Sequence, residues 1–407
     1  MSFNAESAMR VNPPAPAQSW KGFPKYNFVG GHNDSASIPA KELAGSVTSI
    51  LNREGSDLAT YGLQSGPQGY TPFREAIASM LNRRAGMRED ANSILVTSGS
   101  LQALSLIFDL FLDPGDVVLL EKACYGGTLS RLRTRSVEYV GVELDQEGMR
   151  ADSLDQAIRQ VKAKGKRPKM IYTIPTVQNP TGRVMSEARR HQIIAVAKEH
   201  DLPIFEDDCY ADLIFAGGRP PAIRALDDDG RVVYCGSFSK SIGPAIRVGF
   251  IAADWPILSR LLALKTDGGT GAIEQMALSE YLGEKFDAHV DSLNKTLKTK
   301  AEAMADAIDE HFGASAEFER PKSGIFLWLK LPDAVDTSRL YQVASSEGVA
   351  INPGADWSTE ETYGKKRLRL CFANPSVENI RQGISKLADI CHREFGIPHH
   401  SSNTQRQ

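Results

Sequence analysis

Cysteine is scarce in this chain. The five cysteines among 407 residues, Cys124, Cys209, Cys235, Cys371 and Cys391, are odd in number and scattered, and none forms a CxxC pair. That spacing speaks against a disulfide framework or a structural zinc site and suits a reducing compartment. Long apolar runs are missing as well: no stretch reaches about 18 consecutive apolar residues, the length a membrane-crossing helix needs. The N-terminus, MSFNAESAMRVNPPAPAQSW, has no basic segment followed by an apolar run, so no leader is expected. A marked excess of charge of one sign is absent too. Lys and Arg total 47 against 50 Asp and Glu, a net charge of -3, without a dense basic block, so neither nucleic acid nor an anionic membrane is favoured as partner. There is no GxxxxGK[ST] loop, and GGTGAIE lacks the third glycine and the preceding strand of a dinucleotide fingerprint. The acidic run 227–229 and the pair His399-His400 are read as solvated, and no metal is expected. These absences leave a soluble cytoplasmic protein that handles a small ligand.

What is present is ordinary globular material, 42% apolar and 24% charged. At roughly 150 residues per domain the length suggests two or three domains. Residues 1–22, rich in Pro, Ala and Ser, are expected to form an arm without its own core, and 398–407 a frayed tail. From about residue 90 short apolar strands alternate with helices: ANSILVTSGS, VVLLEKACY, KMIYTIP, LPIFED and VVYCGSF read as strands. SEARRHQIIAVAKEH reads as a helix N-capped by Ser186. A βαβ series of this kind implies an α/β fold with a mostly parallel sheet covered on both faces, and a ligand beyond the carboxyl ends of the strands. After about residue 285 a long charged helix and the strands SGIFLWLKL and KRLRLCFA indicate a smaller α+β domain. The expected division is a large domain over 46–285 and a small one from 23–45 and 286–397.

Three of the strands end on polar residues. Asn179 follows KMIYTIP, Asp207 follows LPIF, and Lys240 follows VVYCGSF, at intervals of 28 and 33 residues. A βαβ repeat takes about 30 residues, so an amide, an acid and a lysine should converge at one sheet edge, as an active site requires. A partly desolvated ammonium has a lowered pKa, and its free amine can form a Schiff base. Ser237, Ser239 and Arg247 suit a dianionic phosphate. Ser98, Gly99 and Ser100 open a helix whose free N–H groups attract an anion. Together these features call for a cofactor with both an aldehyde and a phosphate.

The chain resembles the fold-type I pyridoxal-phosphate aminotransferases of class I/II, and within them the aminoadipate, kynurenine and aromatic or multi-substrate subgroup. YGLQSGPQGYTPFREAIASML, VTSGSLQAL, VQNPTG, EDDCYADL, SFSKSIGPAIRVG, SGIFLWL, GVAINPG and RLRLCFA carry the resemblance in order, from about residue 26 to 395. It implies that Lys240 is the Schiff-base lysine and the base that moves the substrate proton. It implies that Asp207, three residues before Tyr210, pairs with the pyridinium nitrogen, a role for which Asp208 competes. Asn179 and Tyr210 would bind the phenolic oxygen, and Tyr125 would stack on the ring. The phosphate would be held by Ser100, the Leu101 N–H, Ser237 and Arg247, joined by Tyr61 of a second subunit in a homodimer with shared sites. Arg369 would take the substrate carboxylate, with Asn179 also on the substrate side and Gly31 in a segment closing over the substrate. The implied activity is ping-pong transfer of an amino group from an α-amino acid to a 2-oxo acid, such as 2-oxoglutarate, through pyridoxamine phosphate.

Blander readings stand beside these. Ser239 is read equally as turn residue or ligand, and Phe326, Trp328 and Trp357 as core or domain-interface aromatics. Arg367, two residues before Arg369, shares its face but lies outside the motif. Three stretches depart from the family pattern: Ala123-Cys124 replaces the usual proline before the stacking tyrosine, KTDGGTGAIEQM is rich in glycine, and Asn33-Asp34 interrupt VGGHNDSASIP. Alternatives are another pyridoxal-phosphate reaction, such as a decarboxylase, β-lyase or synthase step, and a non-catalytic regulatory module. The latter needs a DNA-binding domain of roughly 60 residues ahead of motifs that here begin early.

Overall fold

A computed structural model of the chain describes residues 22–398 and, ahead of them, residues 4, 6–9, 13, 16, 17, 19 and 20. Much of the expected arm, nearly all of the expected tail and the pair His399-His400 lie outside the described residues.

Seven strands make the central sheet: β1 (Ile94–Thr97), β2 (Val117–Glu121), β3 (Glu138–Val142), β4 (Pro168–Thr173), β5 (Ile204–Asp207), β6 (Val232–Ser237) and β7 (Gly249–Ala252). Their order is β1-β7-β6-β5-β4-β2-β3. The parallel pairs are β3 with β2, β2 with β4, β4 with β5 and β5 with β6. β7 runs antiparallel to both of its neighbours. Every residue of β1, β2, β5, β6 and β7 is buried, which is why these segments read as unbroken apolar runs: helices cover both faces. The helix Glu187–His200 between β4 and β5 starts where Ser186 Oγ accepts from the Arg189 N–H at 3.2 Å, as its sequence signal predicts.

Two strands escape the sequence reading. β3 is only half-buried at a sheet edge, so its apolar signal is weak. β7 follows a turn at Arg247 and pairs with β6 without an intervening α-helix, so it breaks the βαβ rhythm used to find the others.

Beyond the sheet, the 29-residue helix Glu284–Phe312 packs along the helix Val377–Phe395. A small antiparallel sheet places β8 (Phe326–Lys330) beside β9 (Arg367–Cys371), with Asn352–Pro353 on the far side. Tyr26–Asn27 pairs in parallel with Val349–Ala350, tying the start of the described chain to this C-terminal layer. The boundary expected between 45 and 46 falls inside a continuous helix, Ala40–Glu54, which packs on Ala272–Tyr281. Phe108, Tyr172 and Phe205 under the sheet share one apolar cluster with Leu297, Phe326 and Leu387 of the C-terminal layer. Each such side chain contributes roughly 1.5–3 kcal/mol by leaving water, so the shared core holds β8 and β9 against the carboxyl ends of β4 to β6.

Candidate active site

Because β4, β5 and β6 are adjacent and parallel, their carboxyl ends open on one edge. Asp207 is the last residue of β5, while Asn179 and Lys240 lie just beyond β4 and β6. A cavity of about 120 Å³ lies there, and of the predicted residues Ser100, Leu101, Tyr125, Asn179, Asp207, Tyr210, Lys240 and Arg247 line it. Gly31 and Arg369 border it through hydrogen bonds. Ser237 and Tyr61 are placed elsewhere.

Lys240 Nζ donates to the Gly31 carbonyl at 2.9 Å and sits 5.6 Å from the centre of the Tyr210 ring. Its pKa is lowered, first by desolvation and then by the positive charges of Arg369 and Arg247, so burial favours the free amine. A Cβ on Gly31 would stand 2.5 Å from Nζ, so a larger residue there would displace the end of the lysine side chain.

Asp207 is buried, and one carboxylate oxygen accepts from the Tyr172 hydroxyl at 2.7 Å. It has no cationic partner among the described residues, and desolvation raises its pKa. Its rival Asp208 is already engaged: one oxygen of that carboxylate accepts from Arg219 at 2.9 Å and from Tyr234 at 3.1 Å. Asp207 is therefore the carboxylate of this pair that faces the cavity.

Asn179 bridges two functional groups. Its amide donates to the Tyr210 hydroxyl at 3.4 Å, and its Oδ1 accepts from Arg369 at 3.2 Å. Arg369, on β9, is 3% exposed and has no carboxylate partner among the described residues. Its guanidinium carbon lies 3.5 Å from the Trp357 ring centre and 4.0 Å from that of Phe326. A second N–H group donates to the Gly30 carbonyl at 2.9 Å, while Nε has no partner. Desolvation lowers its pKa to about 10, which leaves it charged at neutral pH.

At the phosphate-suited end, the helix Ser100–Phe111 begins after Gly99, whose φ of 83° and ψ of 167° belong to a region open to glycine. Arg247 is itself in the left-handed region, φ 57°. That turn directs its guanidinium to the carbonyls of Pro244 at 3.1 Å and Ser98 at 3.3 Å, and to Ser239 Oγ at 3.4 Å. It too lacks a carboxylate partner among the described residues. A non-glycine residue held in such a conformation costs about 1–3 kcal/mol and is a mark of functional sites.

The two serines before Lys240 divide differently from expectation. Ser239, read equally as turn residue or ligand, lines the cavity beside Arg247. The Ser237 hydroxyl instead accepts from the Ser239 N–H at 3.2 Å and donates to the Val248 carbonyl at 3.5 Å. Tyr125 lines the cavity with its ring centre 5.7 Å from that of Trp357. Trp357 and Phe326, read as core or interface aromatics, enclose Arg369, a contact that no spacing in the sequence announces. Tyr172, which anchors Asp207, was also missed; its only signal is a tyrosine inside the buried part of the strand PKMIYT. Tyr61 is 93% exposed and lines a separate cavity of about 810 Å³ with Leu58, Gly268 and Gly269.

Residues 40–387 match the family described as aminotransferase class I and II. An aromatic-amino-acid aminotransferase of Thermococcus litoralis is 34% identical over 91% of this chain and 88% of its own length. An uncharacterized HTH-type transcriptional regulator of Bacillus subtilis is 32% identical over 83% of this chain and 69% of its own length. Among solved structures, the kynurenine aminotransferase of Pyrococcus horikoshii, determined in complex with PMP, superposes with a TM-score of 0.84 at 32% identity over 90% of each chain. With fold, strand-end cluster and these matches in agreement, the chain belongs to the class I and II aminotransferases, enzymes that use pyridoxal phosphate to exchange amino groups between amino acids and 2-oxo acids.

Proposed function

We propose that this chain transfers the amino group of an α-amino acid to a 2-oxo acid, 2-oxoglutarate among the acceptors, in a ping-pong cycle. The observation that carries the reading is one cavity edge at which a desolvated lysine, a buried carboxylate without a cation and an arginine without a carboxylate meet. Each lacks the partner that pyridoxal phosphate offers, namely an aldehyde, a ring nitrogen that takes a proton, and a phosphate. The residues therefore fit the group. When bound, the cofactor supplies an electron-accepting ring that makes a substrate Cα–H bond breakable.

The rest belongs to the chain. Asp207, held by Tyr172, keeps a proton on the ring nitrogen. Asn179 and Tyr210 hydrogen-bond the phenolic oxygen, and Tyr125 packs on the ring. Arg247, Ser100, the Leu101 N–H and Ser239 hold the phosphate; Ser237 acts through its bond to the Ser239 backbone. Arg369 binds the substrate carboxylate, its fork presented by Trp357 and Phe326. Lys240 Nζ removes the proton from the substrate Cα, and its lowered pKa keeps it a base at neutral pH.

The large domain supplies the cofactor residues and the small domain Gly31 and Arg369. The functional unit is a homodimer with shared sites. Supporting this, exposed Leu58, Tyr61 and Ile273 gather at and beside the 810 Å³ cavity, and exposed apolar surface of this kind marks association. A cytoplasmic location completes the reading; all five cysteines are free, as in reducing compartments. No helix among the described residues is long and apolar enough to cross a membrane.

A half-reaction screen tests the activity. The purified pyridoxal-phosphate form is mixed with single amino acids, and the visible absorbance of the lysine-bound cofactor is followed together with the 2-oxo acid released. Bleaching matched by 2-oxo acid supports transamination; bleaching without it sinks the proposal. Lys240→Ala should lose both the visible band and turnover, and retained steady-state turnover would overturn the role of Lys240.

A further inference from the structure

Beside Asp207 lie two cysteines that the proposed chemistry does not use. The parallel register of β5 and β6 sets Asp207 opposite Cys235, and two residues after Asp207 the chain returns Cys209 to the same place. A carboxylate oxygen of Asp207 and the sulfurs of Cys209 and Cys235 all lie within 4.8 Å of one another. Both thiols are free. Cys209 forms part of the cavity wall, whereas Cys235 is fully buried behind it. Behind Asp207, the Tyr172 hydroxyl donates to the carboxylate at 2.7 Å and accepts from Thr128 Oγ1 at 3.0 Å, the kind of outer hydrogen bonding that orients a metal-ligating carboxylate.

Two thiolates and one carboxylate form a three-ligand set for a thiophilic d10 cation, with a fourth position left toward the cavity. We propose that Asp207, Cys209 and Cys235 bind a zinc-class divalent cation in the cofactor-free protein, and that cation and pyridoxal phosphate exclude one another because both require Asp207. The exclusion rests on the assignment of Asp207 to the cofactor's ring nitrogen; cation binding does not. In the binding step two S–H bonds break and two protons leave for solvent, two metal–sulfur bonds and one metal–oxygen bond form, and no electron is transferred. The complex carries one net negative charge, offset by the Arg247 cation that lines the same cavity. Because the cation displaces protons from buried thiols, affinity rises with pH.

Cadmium chloride is the probe, titrated into cofactor-free protein whose fold is checked by circular dichroism. The expected result is a near-ultraviolet cadmium–thiolate band that saturates at one equivalent, strengthens with pH and fails to form after loading with pyridoxal phosphate. Cys209→Ser and Cys235→Ser should each lose it; Cys235→Ala, close in volume and apolar, serves if serine disturbs the buried position. A folded wild type without the band, or a variant that keeps it, overturns the cation site. A band of equal strength in the cofactor-loaded protein overturns the exclusion. If Lys240 never acquires the cofactor's visible absorbance, the cofactor assignment fails, and the cadmium titration still decides the cation site.

Discussion

At the scale of single residues, Arg369 shows how a charge can be kept deep in a protein. It is buried without a counter-ion, yet two aromatic faces and two oxygen acceptors replace its hydration. A guanidinium is suited to this because it is planar and weakly hydrated, and it stacks as well as forks. Arg369→Ala should therefore raise KM for the amino acid roughly ten- to a hundredfold, the equivalent of the 1.5–3 kcal/mol that a hydrogen bond to a charged group contributes. Arg369→Lys should not rescue it, since an ammonium keeps the charge and loses both fork and stacking. Steady-state kinetics on both variants decide this; an unchanged KM in the alanine variant would refute the assignment. The position of Arg369 was legible in the RLRLCFA motif. Its environment was not, because Phe326 and Trp357 reach it through the pairing of β8 with β9 and through a separate turn. Ser237 and Ser239 show the same limit: which of two alternate hydroxyls faces a cavity depends on a backbone turn that spacing does not encode.

At the scale of elements, strand order does much of the work. Asn179, Asp207 and Lys240 were legible as a group because parallel βαβ units bring every carboxyl end to one edge. Register was not legible, and it is register that sets Cys235 against Asp207; nor was the place of β7 in the strand order, between β1 and β6. The start of the helix Ser100–Phe111 gives the sharpest element-level test. Gly99 combines a glycine-only conformation with a close approach: a Cβ there would lie 2.4 Å from Nη2 of Arg247. Gly99→Ala should cost about 1–3 kcal/mol of stability and push the guanidinium from its place, weakening the hold on pyridoxal phosphate. Thermal melting and an absorbance titration with the cofactor measure the two effects. A variant with unchanged Tm and unchanged cofactor affinity would show that neither constraint matters.

At the scale of the whole molecule, the proposed homodimer predicts complementation. If Tyr61 serves the neighbouring site, Tyr61→Ala and Lys240→Ala subunits are each deficient alone, but a mixed dimer unites an intact Lys240 with an intact Tyr61. Unfolding and refolding the two variants together should restore activity that neither shows by itself. No recovery despite mixed dimers, verified by tagging the two subunits differently, would place Tyr61 outside the shared site. The mostly parallel sheet was readable from the alternation of short apolar strands with helices. The helix Ala40–Glu54 was not, because its face is covered by Ala272–Tyr281, a segment more than 200 residues away in sequence.

One consequence concerns two neighbouring peptide carbonyls. Gly30 accepts from Arg369 and Gly31 from Lys240, so a single short piece of backbone occupies both ends of the proposed reaction centre. A carboxylate arriving at Arg369 and a change of partner at Lys240 compete with the same internal ligand. Displacing that ligand at one end lowers the work of displacing it at the other, and by thermodynamic reciprocity the coupling is equal in both directions. The N-terminal segment is in that sense a shared competitor, and the affinities of the two half-sites are linked through it.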